Sequence, residues 1–398
     1  MYGLPQAPHC AQEKLRGVLR KAGLRQSVVD DCIYIWGVLG DSDFAAIGTH
    51  VDDIVLVGTA AGKSFIISVL SAVFEIKEIP DPTLITAVQV VRDKSGGWLK
   101  LHQAAYVKEI LATFDMTGCN TVDTPMDPGT AHALMDLPPA TSEDIDPTIV
   151  QKYQKLVGML IWLHKTRPDL MFTINLLSRF LKTPTSRHFE LARARVLKYL
   201  SGTVHFGIAF CRAKGNWTLS AQADADLAGD KTTSRSTLGY FARMGTYGCV
   251  SFHSTLERKI CTSTQQAETY AVAACLRDVI WIRLLLSELG ATQTNPTAID
   301  CDNQGVFLQS TKQVNHAVAK HFRINQAFIR QNGEDNISQV NKVNTQVNAS
   351  DTFTKANYAA VFKQHRLTIM GPQAPLPTSS HTHSCSSRRG GVTEIKSF

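Results

Sequence analysis

The hydrophobic and polar positions of the first 60 residues follow helical and strand periods in turn. Near the N-terminus, apolar residues three or four positions apart form one helical face: Ala11, Leu15, Val18 and Leu19. Gly23 ends this predicted helix, and strand-like runs follow at residues 32–36 and 44–47. The β-branched run Ile54-Val-Leu-Val57 predicts another strand, so residues 51–53 are expected at the tip of a hairpin.

Helical and hairpin patterns continue to residue 117, where the character of the chain changes. Residues 63–76 and 106–114 have helical periods, and a hairpin through Ser95-Gly96-Gly97 lies between them. Prolines interrupt residues 118–150, which predicts a connector, and helical segments continue to residue 201. The last of these helices is rich in arginine and lysine, which fits either a phosphate-binding face or an ordinary solvated face.

From about residue 206 the chain becomes rich in strands. A set of antiparallel strands precedes a long helix over residues 265–289, and strand and helix alternate after it, which predicts an α/β (α+β) fold. Proline, serine, threonine and histidine dominate the C-terminus, which predicts disorder. The predicted segments are residues 1–117, 118–205, 206–358 and a disordered tail over 359–398.

Composition narrows the class of protein. At 398 residues and 44% hydrophobic residues, the chain is long enough for about two or three packed domains. Its net charge of +7 is compatible with a nucleic-acid partner. Nine cysteines without a Cys-x-x-Cys pair favour reduced thiols in an intracellular protein. No apolar run reaches the ~20 residues of a membrane span, so no membrane partner is expected.

Four acidic residues of the second half belong to different predicted elements. Asp224 lies in a strand, Glu268 in the long helix, Asp302 after a short strand and Asp351 near a later helix. Carboxylates that converge from separate elements bind hard divalent cations, so we predict a site for Mg²⁺ or Mn²⁺. Nearby acids are expected to point away from this site and are assigned secondary roles: Asp226, Asp230 and Asp300.

Ordered motifs over residues 1–358 resemble the Pol polyprotein of copia-type LTR retrotransposons. Two segments resemble the reverse transcriptase of that family: Tyr2-Gly-Leu-Pro-Gln-Ala-Pro8 and His50-Val-Asp-Asp53. Three further segments resemble its linker and connection region: Thr124-Pro-Met126, Leu156-Val-Gly-Met-Leu160 and Thr166-Arg-Pro-Asp169. Five segments resemble the ribonuclease H domain of that family: Asp224-Ala-Asp-Leu-Ala-Gly229, Gln266-Ala-Glu268, Cys301-Asp-Asn-Gln304, Lys320-His321 and Asp351-Thr-Phe-Thr-Lys355. The resemblance implies a partial palm and thumb followed by a ribonuclease H-like mixed sheet with helices.

For the ribonuclease H part, the resemblance implies two-metal cleavage of the RNA strand of an RNA/DNA hybrid. The catalytic and metal-binding residues would be Asp224, Glu268, Asp302 and Asp351. Backbone-directed contacts to the hybrid are expected from Ser236, Asn303, Gln304, Lys320, His321 and Arg323. Lys355 is a further candidate for contact with a phosphate.

For the polymerase part, the resemblance implies an incomplete site. Asp52 and Asp53 resemble the family's metal-binding tip pair, with Asp52 as the expected ligand. The family's third carboxylate lies upstream of the segment that begins at Tyr2, so we expect polymerase ancestry without polymerase activity. Ala87 also stands where the family commonly has glycine.

Two functional hypotheses follow. The first is a Mg²⁺- or Mn²⁺-dependent ribonuclease H that acts on hybrids, once joined to the upstream reverse transcriptase and the integrase parts of a parent polyprotein. The second is a catalytically inert retrotransposon remnant, or a module that only binds nucleic acid. The resemblance implies a cytoplasmic location or a virus-like particle, with the nucleus as an alternative.

Overall fold

The computed structural model describes residues 7–51, 53–93, 97–138, 146–211, 217–246, 248–311, 320–373 and 392–395. The chain divides into two compact units. Unit 1 contains residues 1–86, 280–294 and 377–398, and unit 2 contains residues 87–279 and 295–376.

The α-helices, in chain order, are α1 (Ala7–Lys21), α2 (Ala60–Ser71), α3 (Ala104–Thr113), α4 (Pro128–Asp136), α5 (Pro147–Trp162), α6 (Met171–Ser178), α7 (Ser186–Ala192), α8 (Lys198–Gly202), α9 (Thr264–Glu288), α10 (Gln304–Thr311), α11 (Lys320–Glu334) and α12 (Ala359–Met370). A π-helical turn spans Arg193–Leu197, and 3₁₀ turns span Leu163–Lys165, Pro168–Leu170, Thr345–Val347 and Ala349–Phe353. The last of these is called the 349–353 segment below.

The strands are β1 (Arg25–Gln26), β2 (Ile33–Trp36), β3 (Ala45–His50), β4 (Asp53–Gly58), β5 (Ile76–Ile79), β6 (Leu84–Ile85), β7 (Val88–Asp93), β8 (Trp98–His102), β9 (Gly207–Cys211), β10 (Leu219–Asp230), β11 (Arg235–Met244), β12 (Cys249–Leu256), β13 (Thr297–Cys301), β14 (Ser338–Lys342) and β15 (Val392–Ile395). Helices and strands are mixed throughout, which confirms the predicted fold class.

Unit 1 is built on an antiparallel sheet with the strand order β1-β2-β3-β4-β15-β5. The predicted hairpin is present, because His50 pairs with Asp53 and Val51 turns the chain with a φ of +54°. Leu19 of α1 and Ile66 of α2 are fully buried among apolar side chains of this sheet. Helix α2 begins where Thr59 accepts a hydrogen bond from the backbone N–H of Gly62.

Unit 2 contains a helical core and two sheets. Val107, Leu156 and Tyr199, from α3, α5 and α8, are fully or almost fully buried in one apolar cluster. Strands β7, β8 and β9 form antiparallel pairs, so β9 joins the hairpin that precedes the helices. The second sheet has the order β12-β11-β10-β13-β14, in which the first three strands are antiparallel and β13 and β14 run parallel to β10.

The compact units do not follow the segments predicted from the sequence. The boundaries at residues 117 and 205 fall inside unit 2. The physical reason is that β8 pairs with β9 across about one hundred residues and that the intervening helices share one core. Sequence patterns report local periods and do not reveal such a distant pairing.

The predicted start of the disordered tail at residue 359 is wrong. Residues Ala359–Met370 form α12, which buries Phe362, His365, Ile369 and Met370. Residues 374–391 and 396–398 of the predicted tail lie outside the described residues, and Val392–Ile395 forms β15. Among the described residues, no helix has the length and apolar character needed to cross a membrane.

Candidate metal centre and nucleic-acid contacts

The sheet of β10 to β14 brings the four predicted carboxylates into one cluster, called the acidic centre below. Asp224 lies in the middle of β10, Glu268 in the second turn of α9 and Asp302 directly after β13. Asp351 lies in the 349–353 segment, which packs against β10 and β11. Each carboxylate therefore comes from a different element, as the sequence predicted.

Burial and mutual repulsion both act on the acidic centre. Burial, followed by the charge of Asp351, raises the pKa of Asp224 to about 7. Burial, followed by the charges of Asp224 and Asp302, raises the pKa of Glu268 to about 9. Burial also raises the pKa of Asp351. Raised pKa values of this kind indicate that the carboxylates lie close together and that nearby positive charge does not balance their negative charge.

Local hydrogen bonds hold these carboxylates in place. The Thr354 hydroxyl donates to Oδ2 of Asp224, and the Thr345 hydroxyl donates to Oδ2 of Asp302 at 2.7 Å. Lys355 lies with its Nζ 3.0 Å from Oδ1 of Asp351. Burial lowers the pKa of Lys355, but the charges of the nearby carboxylates outweigh burial and raise it.

Lys355 was predicted from the sequence to touch a phosphate, and the structure gives it a contact with the acidic centre itself. Its side chain stays partly exposed, at 43%, while it pairs with Asp351. A single ammonium offsets only part of the charge of four carboxylates, so a divalent cation fits this donor set. All four carboxylates offer oxygen atoms, which are the donors that hard divalent cations prefer.

Sequence reasoning missed two residues of this region. Asp226 was expected to point away, yet residues two apart on a strand share a face, so Asp226 lies on the face of Asp224. Burial raises the pKa of Asp226. The positive charge of Lys355 lowers this pKa, and the negative charge of Asp224 raises it further. Cys301 was read only as part of a motif, but its thiol donates to Oε2 of Glu268 across 3.6 Å.

The other two secondary acids lie outside the acidic centre. Asp300 accepts hydrogen bonds from Gln222 and Asn341 on neighbouring strands. Asp230 lies 3.9 Å from Nη1 of Arg179 and accepts a hydrogen bond from Thr233. The secondary role predicted for both is consistent with these contacts.

The predicted contacts to nucleic acid differ in accessibility. Ser236 is fully buried and its hydroxyl accepts the backbone N–H of Ala228, which speaks against the predicted contact with nucleic acid. Asn303 is half-buried, and its Oδ1 accepts the N–H groups of Gly305 and Val306 at the start of α10. Gln304 is exposed.

Three further predicted contacts lie on α11. Arg323 is exposed on this helix. Lys320 and His321 are within the helix, but their side chains lie outside the described residues. Their assignment as contacts therefore stays a prediction.

The predicted polymerase pair lies at the tip of the β3–β4 hairpin in unit 1. Asp53 begins β4, where it is half-buried and pairs in register with His50 on one side and Glu394 of β15 on the other. Asp52 lies outside the described residues. The assignment of this pair to a polymerase site stays a prediction.

Comparisons with known proteins place the chain among transposon proteins. Residues 1–128 match the family described as reverse transcriptase (RNA-dependent DNA polymerase). The retrovirus-related Pol polyprotein from transposon RE1 of Arabidopsis thaliana is 33% identical over 356 residues, which is 89% of this chain and 23% of that protein. The corresponding polyprotein from transposon TNT 1-94 of Nicotiana tabacum is 30% identical over 358 residues, 89% of this chain and 26% of that protein.

Two of the similar solved structures are a nuclease and a viral polymerase. RNase H1 from the halophilic archaeon Halobacterium salinarum NRC-1 has a TM-score of 0.26 and 17% identity, with 34% of this chain and 94% of that chain covered. The foamy viral protease-reverse transcriptase, solved in complex with RNA/DNA hybrid, has a TM-score of 0.43 and 10% identity, with 87% of this chain and 39% of that chain covered.

The curated matches confirm the resemblance predicted from the motifs. They extend over nine-tenths of the chain, beyond the part that matches the reverse transcriptase family. The chain spans about a quarter of the length of these curated relatives. It is a relative of the copia-type, retrovirus-related Pol polyproteins of transposons, and its residues 1–128 match the reverse transcriptase family.

Proposed function

We propose that this chain is a divalent-metal-dependent ribonuclease H that cleaves the RNA strand of an RNA/DNA hybrid. The observation that carries the proposal is the acidic centre, in which four carboxylates from four elements converge. The matches to Pol polyproteins support the same function.

The proposed cofactor is Mg²⁺ or Mn²⁺, held by Asp224, Glu268, Asp302 and Asp351. When bound, such ions activate the attacking water and neutralise charge that develops on the leaving oxygen of the phosphodiester. The chain's own residues provide the geometry: Thr354 orients Asp224 and Thr345 orients Asp302. Hydrogen bonds of this kind fix the direction of a carboxylate before any ligand arrives.

The proposed substrate contacts lie after β13 and on α11. Gln304 and Arg323 are exposed and can reach the sugar-phosphate backbone, and Asn303 offers its amide N–H₂ because its oxygen caps α10. Lys320 and His321 remain candidates. Backbone contacts are suited to a nuclease that accepts hybrids of many sequences.

In the N-terminal unit we propose Asp52 and Asp53 as part of a polymerase site of the parent polyprotein. The match of residues 1–128 to the reverse transcriptase family supports this assignment. Two carboxylates at one hairpin tip supply only part of the ligand set that two-metal catalysis requires. We further propose that upstream reverse transcriptase and integrase parts of a Pol polyprotein complete the functional context of this chain.

The test is cleavage of an end-labelled RNA/DNA hybrid by the purified chain with Mg²⁺ and with EDTA. Asp302→Asn removes one charge of the acidic centre and is expected to lower the cleavage rate by about 100-fold or more. Asp335→Asn is the matched control, because Asp335 is an exposed acid of unit 2 that follows α11. Circular dichroism would establish that both variants are folded.

Each outcome has a definite meaning. Metal-dependent cleavage that Asp302→Asn abolishes and Asp335→Asn preserves would support the nuclease. Cleavage that survives Asp302→Asn or EDTA would reject it. Salt-sensitive hybrid binding without cleavage would favour a nucleic-acid-binding module, and a folded chain that neither binds nor cuts would be an inert remnant.

A further inference from the structure

A buried thiol lies beside the carboxylates of the acidic centre. Cys301 ends β13 and is fully buried, with its Sγ 3.6 Å from Oε2 of Glu268. One ligand atom each from Cys301, Glu268 and Asp302 can be chosen so that all three lie within 4.8 Å of one another. Among the described residues, this is the group of histidine, cysteine and acidic side chains with the spacing of a metal site.

The separation of sulfur and oxygen matches two ligands on one tetrahedral ion. A Zn–S bond of about 2.3 Å and a Zn–O bond of about 2.0 Å place the two ligand atoms about 3.5 Å apart. The observed distance between Cys301 and Glu268 is 3.6 Å, so these side chains need little rearrangement to share a cation. The third candidate ligand, Asp302, is half-buried, and its Oδ2 accepts a hydrogen bond from the Thr345 hydroxyl.

The backbone also fixes the position of the sulfur. The N–H of Asn303 donates a hydrogen bond to Sγ of Cys301 at 3.5 Å. This donor places a partial positive charge against the sulfur, although burial raises the pKa of the thiol overall. The thiol is therefore set in place by the same turn that positions Asp302 after β13.

We propose that Cys301, Glu268 and Asp302 form a site for a thiophilic divalent cation, Zn²⁺ or Cd²⁺. Mg²⁺ binds oxygen and gains little from sulfur, whereas Zn²⁺ and Cd²⁺ bind thiolate strongly. As the metal bonds form, the thiol proton of Cys301 and the proton of the Glu268 carboxyl group pass to the buffer, and no oxidation or reduction occurs. The bound cation occupies two carboxylates of the acidic centre and blocks Mg²⁺ there. The inhibition rests on the proposed ribonuclease H function, whereas binding does not.

Binding is tested by titrating the full chain, in EDTA-free buffer, with Cd²⁺ alone. The readouts are the ultraviolet charge-transfer absorption of a cadmium thiolate and calorimetric affinity. Cys301→Ser should abolish the absorption from this site and weaken Cd²⁺ binding by at least about tenfold. Cys275→Ser is the matched control, because Cys275 is also fully buried but faces Asp278 on α9, and it should leave both readouts unchanged.

A second variant keeps the test decisive if Cys301→Ser does not fold. Glu268→Gln retains the thiol and the size of the side chain but removes one charged ligand, so Cd²⁺ affinity should fall while the absorption persists at saturation. Wild-type Cd²⁺ affinity in a folded Cys301→Ser chain, or in a folded Glu268→Gln chain, would overturn the proposal.

The proposed inhibition of the nuclease by the bound cation is tested by adding Zn²⁺ to the Mg²⁺-supported cleavage of hybrids. The ratio of rates with and without Zn²⁺ should be small for the wild type and Cys275→Ser, and close to one for Cys301→Ser. Equal inhibition of all three would overturn the inhibitory role. If the wild type does not cleave hybrids at all, the proposed nuclease fails, while the Cd²⁺ titration still decides whether the cation site exists.

Discussion

At the scale of single residues, the acidic centre is a concentration of negative charge that the metal-free fold tolerates poorly. The residues Asp224 and Glu268 are both at most 3% exposed. Their pKa values, about 7 and about 9, show that the folded state favours their protonated forms. This arrangement favours a bound cation over an empty site, because a cation removes the repulsion that the fold otherwise sustains.

The free energy of unfolding of the metal-free chain should therefore depend on pH through these groups. Their pKa values are higher in the folded than in the unfolded state, so the folded chain binds more protons between about pH 4 and pH 9. Their contribution to stability is complete at the acidic end of this range and is lost as the pH rises. Glu268→Gln should remove part of this slope and, in EDTA at pH 8.5, stabilise the chain by about 1 kcal/mol or more.

Urea unfolding at pH 5.5 and pH 8.5, with EDTA or with Mg²⁺, measures this effect. Asp335→Asn is again the control, because it removes an exposed charge away from the acidic centre. Excess Mg²⁺ should selectively stabilise the wild type at the higher pH. A folded Glu268→Gln chain that is less stable than the wild type at pH 8.5 in EDTA would contradict the argument.

A second prediction at this scale concerns the backbone at Ala87. Its φ is +65°, in the left-handed region that costs a non-glycine residue about 1 kcal/mol. The resemblance to the copia-type family implies that glycine is usual at this position. Ala87→Gly should therefore stabilise the chain by up to about 1 kcal/mol, less the entropy that glycine gains on unfolding.

Thermal unfolding of Ala87→Gly measures this effect, and Ala105→Gly provides the opposite control. Ala105 lies in the first turn of α3, where glycine should destabilise by about 0.5–1 kcal/mol. A lower stability for both variants would show that the strain at Ala87 is already relieved by its surroundings.

Residue types in order along the chain were enough to predict the four carboxylates, because each had a distinct motif. The thiol of Cys301 could not be assigned in this way, since a buried cysteine is usually an ordinary core residue. Asp226 could have been assigned, because the alternation of a strand places it on the face of Asp224.

At the scale of elements, the position of Asp351 depends on how closely the 349–353 segment approaches β11. Gly239 pairs in register with Asp224, and a Cβ atom at residue 239 would lie 2.5 Å from Cβ of Phe353 and 2.8 Å from the Thr354 methyl group. A side chain larger than hydrogen does not fit there without a shift of the segment. The absence of a Cβ at Gly239 thus permits both Asp351 and Thr354 to reach Asp224.

Gly239→Ala should lower both stability and hybrid cleavage. Overpacking of this kind costs about 1–3 kcal/mol, and a displacement of about 1 Å at a catalytic group can lower a rate by about 100-fold. The control is Gly158→Ala, because nothing lies within 4 Å of a Cβ at this position of α5. This control should stabilise the chain by about 0.5–1 kcal/mol without changing cleavage.

Chemical denaturation and the hybrid assay, applied to both variants, separate the two effects. The cleavage rate is compared under conditions in which each variant is fully folded, so that a loss of rate reports displacement of the 349–353 segment. A folded Gly239→Ala chain with the wild-type rate would show that the segment moves without disturbing Asp351.

The element that supports this segment was misassigned from the sequence. Helix α12 packs Ile369 and Met370 in the same apolar cluster as Phe353, and His365 lies 3.3 Å from the Thr352 hydroxyl. Its buried positions follow a helical period, so the signal was present in the sequence. It was overlooked because the copia-type motifs end near residue 358 and the composition beyond that point changes gradually.

At the scale of the whole molecule, the sheet with the order β12-β11-β10-β13-β14 is one part of unit 2. Strand β9 joins β8, and the Leu101–Ile208 pair lies in that ladder. Asn175 of α6 donates to Ser254 of β12, and Arg179 donates to Thr237 of β11. The sequence predicted the elements on both sides of residue 205, but it could not predict contacts between residues that lie about sixty to one hundred and ten positions apart.

These contacts determine which fragment should fold. A fragment of residues 206–373 contains the acidic centre but lacks β8, α6 and the helical core, whereas residues 87–373 retain them. Both fragments carry the same residues 280–294, so any effect of separating that segment from unit 1 is common to the two. The loss of a β ladder and of buried apolar contacts should cost the shorter fragment several kcal/mol, about as much as the stability of a whole domain.

Residues 206–373 should therefore show weak near-ultraviolet circular dichroism and no cooperative urea transition, while residues 87–373 should unfold cooperatively. Hybrid cleavage, if the nuclease proposal holds, should follow the longer fragment. Equal cooperativity and equal stability of the two fragments would mean that β8 and the helices contribute little to the sheet. The sequence-based boundary at residue 205 would then separate two independent parts, and the pairing of β8 with β9 would be a consequence of the folded sheet rather than a condition for it.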